Sequence, residues 1–123
     1  MKYLILIYHN PEARQVWDSL PESERAGGMS AYAALNEALA GSGELIVTEA
    51  LADASLTRTV SVRDGQTIAT DGPFAEVKEQ LAGFYLVECE SIDRAVEIAG
   101  RIPDAPIARI EVRPVMRYEG LEM

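Results

Sequence analysis

The chain carries one cysteine, one histidine and one tryptophan in 123 residues. With Cys89 alone, an intrachain disulfide is excluded. A single thiol fits a reducing compartment, so a cytoplasmic location is expected. One histidine and one cysteine, with no short ligand spacing between them, do not make a zinc site. No metal and no cofactor are expected. Gly-x-Gly-x-x-Gly, the phosphate loop, Gly-x-Ser-x-Gly and Cys-x-x-Cys are all missing, which leaves nucleotide and serine-hydrolase chemistry without support. Long apolar runs are missing too. The first such stretch, residues 3–8, is too short for a signal-peptide core and far too short to span a membrane.

Positive charge is also scarce. Lys and Arg number 11 against 20 Asp and Glu, for a net charge of −9. Such a chain repels phosphate backbones, so nucleic acid is not an expected partner. A small organic ligand or a basic protein surface remains open.

The residues that are present describe an ordinary globular protein, 48% hydrophobic and 25% charged, of a size for one domain over residues 1–123. A chain of this length buries roughly two-thirds of its unfolded surface and needs no covalent staple. In the opening MKYLILIY both alternate faces are apolar, which predicts a strand covered on both sides. Asn10-Pro11 predicts an N-cap and first turn, opening a short helix through Trp17. Ser19-Leu20-Pro21-Glu22 matches a capping box for a second helical start. Gly27-Gly28 weakens the helix begun there, each glycine costing about 1 kcal/mol relative to alanine. Over residues 29–40, Tyr32, Leu35 and Leu39 recur at helical spacing, and Gly41-Ser42-Gly43 stops the helix.

Residues 45–47 read as a strand, and residues 57–63 alternate Val60 and Val62 with polar neighbours in a half-buried pattern. Asp64-Gly65 turns this segment into residues 67–70, giving a hairpin. Residues 84–90 are a further strand. Ser91 caps a helix with Ile92, Val96 and Ala99 on its predicted inner stripe. Pro103 and Pro106 bracket a loop before a last strand, residues 107–112, with Ala108, Ile110 and Val112 on one face. The order β-α-β-β-β-β-α-β predicts an α+β sandwich of ferredoxin-like type: an antiparallel sheet with two main helices on one face, plus an extra hairpin. Helices on one face leave the other bare, while the first strand wants both covered. A homodimer joined through sheet faces is therefore expected.

Several stretches together resemble a known family. They are Leu4-Ile5-Leu6-Ile7-Tyr8, Asn36-Glu37-Ala38-Leu39, Val62-Arg63-Asp64-Gly65, the long run TDGPFAEVKEQLAGFY from Thr70 to Tyr85, and Ile110-Glu111-Val112-Arg113-Pro114. The chain is similar to the YCII-related family, in the branch known by its Asp-Gly-Pro-Phe signature, over nearly its whole length. The resemblance implies a ferredoxin-like fold and a dimer. It also implies suspected enzymatic activity, from a His-Asp pair that some members carry in a cleft beside the sheet. Members of this branch are often encoded beside extracytoplasmic-function sigma factors, so the resemblance also implies a sigma-factor-related protein as a partner. The family's histidine lies early on the long helix. The matching position here is Tyr32, so that pair is not carried over.

The candidate site residues each have a bland reading beside the functional one. His9, at the end of the first strand, has the titration range for acid–base work at neutral pH, or is a solvated loop residue. Asp71 is a general base, or a turn residue fixing the Gly-Pro corner. Pro73 is placed to start a short helix through Gln80, whose free N–H groups would attract a carboxylate. Glu76 stands near Asp71 as a second carboxylate or belongs, with Lys78 and Glu79, to a solvated face. Tyr8, Tyr32 and Tyr85 line a substrate cleft, or serve core and interface. Glu111 and Arg113 orient a substrate, or pair across the sheet.

The expected function is binding of a small organic molecule in a cleft between the long helix and the sheet. If there is catalysis, it is a cofactor-free lyase, isomerase or hydrolase step, with His9 or Asp71 as base and Tyr8 polarising the substrate. The alternative is a non-catalytic interaction protein of a sigma-factor system.

Overall fold

A computed structural model of the chain describes residues 1–73 and 78–117. The elements run β1 (Lys2–His9), α1 (Pro11–Ser19), α2 (Glu22–Gly41), β2 (Leu45–Ala50), a single 3-10 turn (Ala54–Leu56), β3 (Arg58–Arg63), β4 (Gln66–Asp71), β5 (Gln80–Glu88), α3 (Ile92–Gly100) and β6 (Arg109–Pro114). Four strands form one antiparallel sheet in the order β2-β5-β1-β6, and β3 and β4 form a separate two-stranded sheet. The two outer strands of the larger sheet are thus reached by helical crossovers from β1 and β5. This is the ferredoxin-like α+β arrangement, with a hairpin inserted between β2 and β5.

Strand alternation decides where the core lies. Tyr3, Ile5 and Ile7 of β1 and Tyr85 and Val87 of β5 point to one face and are buried, together with Leu35 and Leu39 of α2 and Ala95, Ile98 and Ala99 of α3. Leu4, Leu6 and Tyr8 point the other way and are half-buried. Helices therefore cover only one face of the sheet.

Local signals account for most element ends. The Asn10 carboxamide accepts the Ala13 N–H at 2.7 Å, with Pro11 in the first turn of α1. The Ser91 hydroxyl accepts the Arg94 N–H at 3.2 Å at the start of α3. Gly43, at φ +80°, follows α2, and Asp64-Gly65, at φ 50° and 76°, makes the hairpin turn. Both glycines occupy a region that side-chain-bearing residues enter at a cost.

Other expectations are corrected. The second helix does not use a Ser19 capping box: its N-cap is Pro21, with no side-chain bond, and the Ser19 hydroxyl donates back to the Val16 carbonyl. Gly27 and Gly28 do not interrupt α2. A Cβ on Gly28 would lie 3.1 Å from the Trp17 ring, so the bare backbone lets α1 pack closely there. On α3 Ala99 faces inward as expected, but its buried neighbours are Ala95 and Ile98, with Ile102 just beyond the helix, while Ile92 and Val96 face solvent. Small alanines suit a helix pressed close to the sheet, and this choice rotates the stripe from the one the larger side chains suggest.

The hairpin is not half-buried: Val60 and Val62 are 59% and 67% exposed. Residues 74–77 of the short helix expected from Pro73 lie outside the described residues; at its far end Gln80 is a strand residue, paired with His9 as the first of β5.

Candidate functional site

β1 and β5 pair regularly until Ile7 meets Gly83, after which Tyr8 pairs with Leu81 and the register shifts by one. Ala82 is the extra residue. Such a bulge bends the local backbone and re-aims neighbouring side chains, and it falls at the end of β1 where His9 stands. Alternation sends His9 to the helix-covered side and Tyr8 to the bare one.

On the helix-covered side His9 meets Asp104. The His9 Nε2 lies 3.3 Å from the Asp104 Oδ2, with the two side chains 23% and 25% exposed. Nε2 itself is shielded from solvent and has no partner of good hydrogen-bond geometry among the described residues, so at 3.3 Å the carboxylate is its near neighbour without an ideal alignment. The same Asp104 Oδ2 accepts the Tyr32 hydroxyl at 2.9 Å. Asp104 is held in place by its own backbone: its carbonyl accepts the Ile107 and Ala108 N–H groups at 2.9 and 2.8 Å. One carboxylate thus gathers a histidine from the sheet and a tyrosine from α2.

The electrostatics follow from this geometry. The His9 imidazole beside Asp104 holds its carboxyl below the usual carboxylate range, against burial, and the Tyr32 hydrogen bond acts in the same sense. Burial pushes the Tyr32 hydroxyl well above its ordinary value, and the Asp104 charge adds to it. Tyr32 therefore stays a neutral donor. Asp104 stays an anion, available to orient an imidazole N–H and to stabilise positive charge on the ring. With Nε2 turned to Asp104, the nitrogen left for chemistry is Nδ1.

The remaining residues singled out from the sequence lie apart from this cluster. Tyr85 is on the same side of the sheet but almost fully buried, its hydroxyl donating to the Asn36 Oδ1, and burial raises its titration point. Tyr8 is across the sheet from His9. Asp71 ends β4 with its side chain 89% exposed, its Oδ1 3.6 Å from the Arg58 Nε. It makes no hydrogen bond or ion pair with His9. Gly72, at φ +87°, supplies the corner after it, its N–H bonded to the Thr57 carbonyl at 2.7 Å. Glu76 lies outside the described residues. On the last strand Arg109, Glu111 and Arg113 face the bare side, Arg109 lying 3.5 Å from Glu79 and 3.9 Å from Glu111.

Sequence reasoning missed Asp104. The signal was available: an aspartate held between Pro103 and Pro106 in a short loop is a carboxylate on a stiffened backbone. Among the described residues no group of three or more His, Cys, Asp or Glu side chains is placed to hold a metal ion. Among them, too, no helix is long and apolar enough to cross a membrane.

An α+β sandwich with a histidine and an aspartate brought together beside its sheet defines a class, and the comparisons give the family. A model of the YCII-related domain matches residues 1–119. An uncharacterised protein of Rhizobium meliloti (strain 1021) is 35% identical over 125 residues, spanning 100% of this chain and 98% of its own length. The chain belongs to the YCII-related family.

Proposed function

We propose that the chain binds a small organic molecule at the rim between α2 and the sheet and moves a proton on it without a cofactor, with His9 as acid–base, Asp104 as its orienting partner and Tyr32 as a fixed donor. The observation that carries this reading is the shared Asp104 Oδ2, 3.3 Å from the His9 Nε2 and 2.9 Å from the Tyr32 hydroxyl. In the resting state the imidazole keeps its proton on Nε2, towards Asp104. Nδ1 takes a proton from the substrate, the carboxylate stabilises the imidazolium, and the proton returns to a second atom of the same substrate or to its leaving group. Isomerase and lyase steps need nothing more, and a hydrolase step draws the proton from water.

The sequence supports the Asp-Gly-Pro-Phe branch of the family through the run from Thr70 to Phe74. A homodimer is part of the same reading. Leu4, Leu6, Phe84 and Leu86 form a half-buried stripe on the helix-free face, flanked by Glu49 of β2 on one edge and Arg113 of β6 on the other. A second copy rotated so that β2 faces β6 covers apolar with apolar and sets glutamate against arginine. The interaction reading, a partner in a sigma-factor system, has only the net charge of −9 and the resemblance behind it.

The test is proton exchange in D2O. α-Keto acids, β-keto esters and small lactones are incubated with the protein, and deuterium incorporation is followed by proton NMR. Exchange above the buffer rate on at least one probe, lost in both His9→Gln and Asp104→Asn, is the expected result. Exchange that survives both substitutions, or none on any probe, overturns the acid–base assignment.

A further inference from the structure

Across the sheet from His9, a cavity of about 690 Å³ opens between the 3-10 turn, the base of the hairpin and the start of β5. It contains none of His9, Asp104 or Tyr32, so it is not the space in which the proton chemistry above takes place. Its volume lies within the range of ordinary small-molecule sites, about 300–1,000 Å³. The walls are mainly apolar: Leu51, Leu56, Val60, Pro73 and Leu81, with the Tyr8 ring among them. Leu56 is 74% exposed, a large apolar side chain left at the edge of a recess.

The polar groups of the recess are unequal. Two lining carboxylates already face arginines: Asp53 lies 3.8 Å from Arg14, and Glu79 lies 3.5 Å from Arg109. Asp53 also accepts the Ser55 N–H at 3.0 Å. The Thr59 hydroxyl is spent on the Gly72 carbonyl at 2.7 Å. Beside the Thr57 hydroxyl and the Gln80 carboxamide, two donors border the recess. The Tyr8 hydroxyl makes no hydrogen bond among the described residues. The Arg58 Nε lies 3.6 Å from the Asp71 Oδ1 with the two side chains 73% and 89% exposed, a solvent-screened pair that a carboxylate seated in the recess can displace. Arg58 and Tyr8 both line the cavity. An apolar recess bordered by an exposed guanidinium and a phenol fits a molecule with an apolar body and an anionic acceptor at one end.

We propose that this recess is a second, separate binding site, for an apolar monocarboxylic acid of aromatic or medium-chain type. The body rests on Leu51, Leu56 and Leu81, and the carboxylate is held by the terminal nitrogens of Arg58. Neither His9 nor Asp104 takes part, so the site stands or falls independently of the acid–base cluster.

Titration of the ¹⁵N-labelled protein with 2-naphthoate, and with neutral 2-naphthalenemethanol as its control, tests the proposal by amide chemical shifts. The expected shifts cluster at residues 51–60 and at Leu81, and the acid binds about tenfold more tightly than the alcohol, as one charge-assisted contact predicts. Arg58→Ala brings the acid down to the affinity of the alcohol, Leu56→Asp weakens both, and His9→Ala changes neither. Equal affinity of acid and alcohol for the unaltered protein overturns the proposal. So do shifts centred on Tyr32 and Asp104 or on Leu4, Leu6, Phe84 and Leu86, and so does the absence of any shift at millimolar probe.

Discussion

His9 and Asp104, from opposite ends of the chain, meet at 3.3 Å on the helix-covered side of the sheet, and the Tyr32 hydroxyl closes on the same carboxylate oxygen at 2.9 Å. The long helix has no histidine, and Tyr32 stands where the family resemblance puts one. A histidine–aspartate pair forms all the same, with the histidine supplied by the end of β1 and the aspartate by the loop after α3.

The first prediction concerns that shared oxygen. Tyr32→Phe removes a hydrogen bond to an ionised, half-buried carboxylate, a contact worth about 1.5–3 kcal/mol, with the lower end expected at this partly exposed position. Asp104→Ala removes the other partner. A double-mutant cycle by urea unfolding at pH 7 should show the two losses to be less than additive. The Asp104 carboxyl is held below its ordinary range, so its contribution is full above the unfolded value of about 3.9 and disappears as pH falls through the lower folded value. The Tyr32→Phe penalty should shrink in the same window. Strict additivity at pH 7 would mean that the two groups do not act on each other.

A second acid-sensitive contact lies at the other end of the helix layer. The Arg94 guanidinium donates to both Glu44 oxygens at 2.8 Å, tying α3 to the turn between α2 and β2. The Arg94 and Ser42 hydrogen bonds lower the Glu44 carboxyl from 4.5 to about 2. A depressed carboxylate stabilises the fold above its unfolded value and loses that effect as pH falls, here between about 4.5 and 2. In Glu44→Gln the fall in stability across this window should be shallower by up to about one proton's worth of slope. The check is a series of urea midpoints from pH 5 to pH 2. An unchanged slope would show that the pair is not formed in solution.

Glycines divide by what a methyl group would meet. Gly27 lies in α2 with nothing within 4 Å of its missing Cβ, whereas a Cβ on Gly83 would stand 2.9 Å from the Glu49 carbonyl oxygen. Gly27→Ala should stabilise by about 0.4–1 kcal/mol, through helix propensity and the unfolded chain. Gly83→Ala forces a methyl group against the Glu49 backbone in the β2–β5 pair and should cost about 1–3 kcal/mol, the range of an overpacked interior. Thermal midpoints moving in opposite directions are the expected outcome. A stable Gly83→Ala would show that β2 shifts freely at the sheet edge.

What the sequence disclosed was whatever its near neighbours decide. The two-residue alternation of β1, the stripe of Leu35 and Leu39 on α2, the Asn10-Pro11 start and the Asp64-Gly65 turn are set by residues within a few positions, and all were legible. On α3 the expected stripe shares only Ala99 with the buried one: Ala95 carries little hydrophobic signal, and Ile92, Val96 and Ile98 are equally apolar, so which of them turns inward is decided by the packing of the helix against the sheet. Val60 and Val62 alternate as a half-buried strand does, but alternation does not say whether a covering layer exists. Asp104 was overlooked for a related reason. Its role depends on a contact with His9 that only the tertiary fold creates, and its own loop reads as punctuation between two prolines.

The last prediction addresses the bare side of the sheet. Leu4, Leu6, Phe84 and Leu86 line it without a covering helix, and large contiguous apolar patches on a soluble domain mark a partner surface. A symmetric dimer through this face should show twice the 13.4 kDa chain mass by light scattering after size exclusion. Leu86→Lys places a charge in the middle of the stripe, paired in register with Leu4 on one side and Val47 on the other. Its side chain points away from the buried core, so the helical signal by circular dichroism should persist while the mass falls to that of one chain. Glu49→Arg should weaken the dimer more mildly by setting like charges together at the β2 edge, and Arg113→Glu in the same molecule should restore part of the loss, a rescue that a merely structural defect would not give. A wild-type protein that runs as a monomer even at the highest concentration it tolerates in solution, or a Leu86→Lys variant that remains dimeric, would remove this face as the contact.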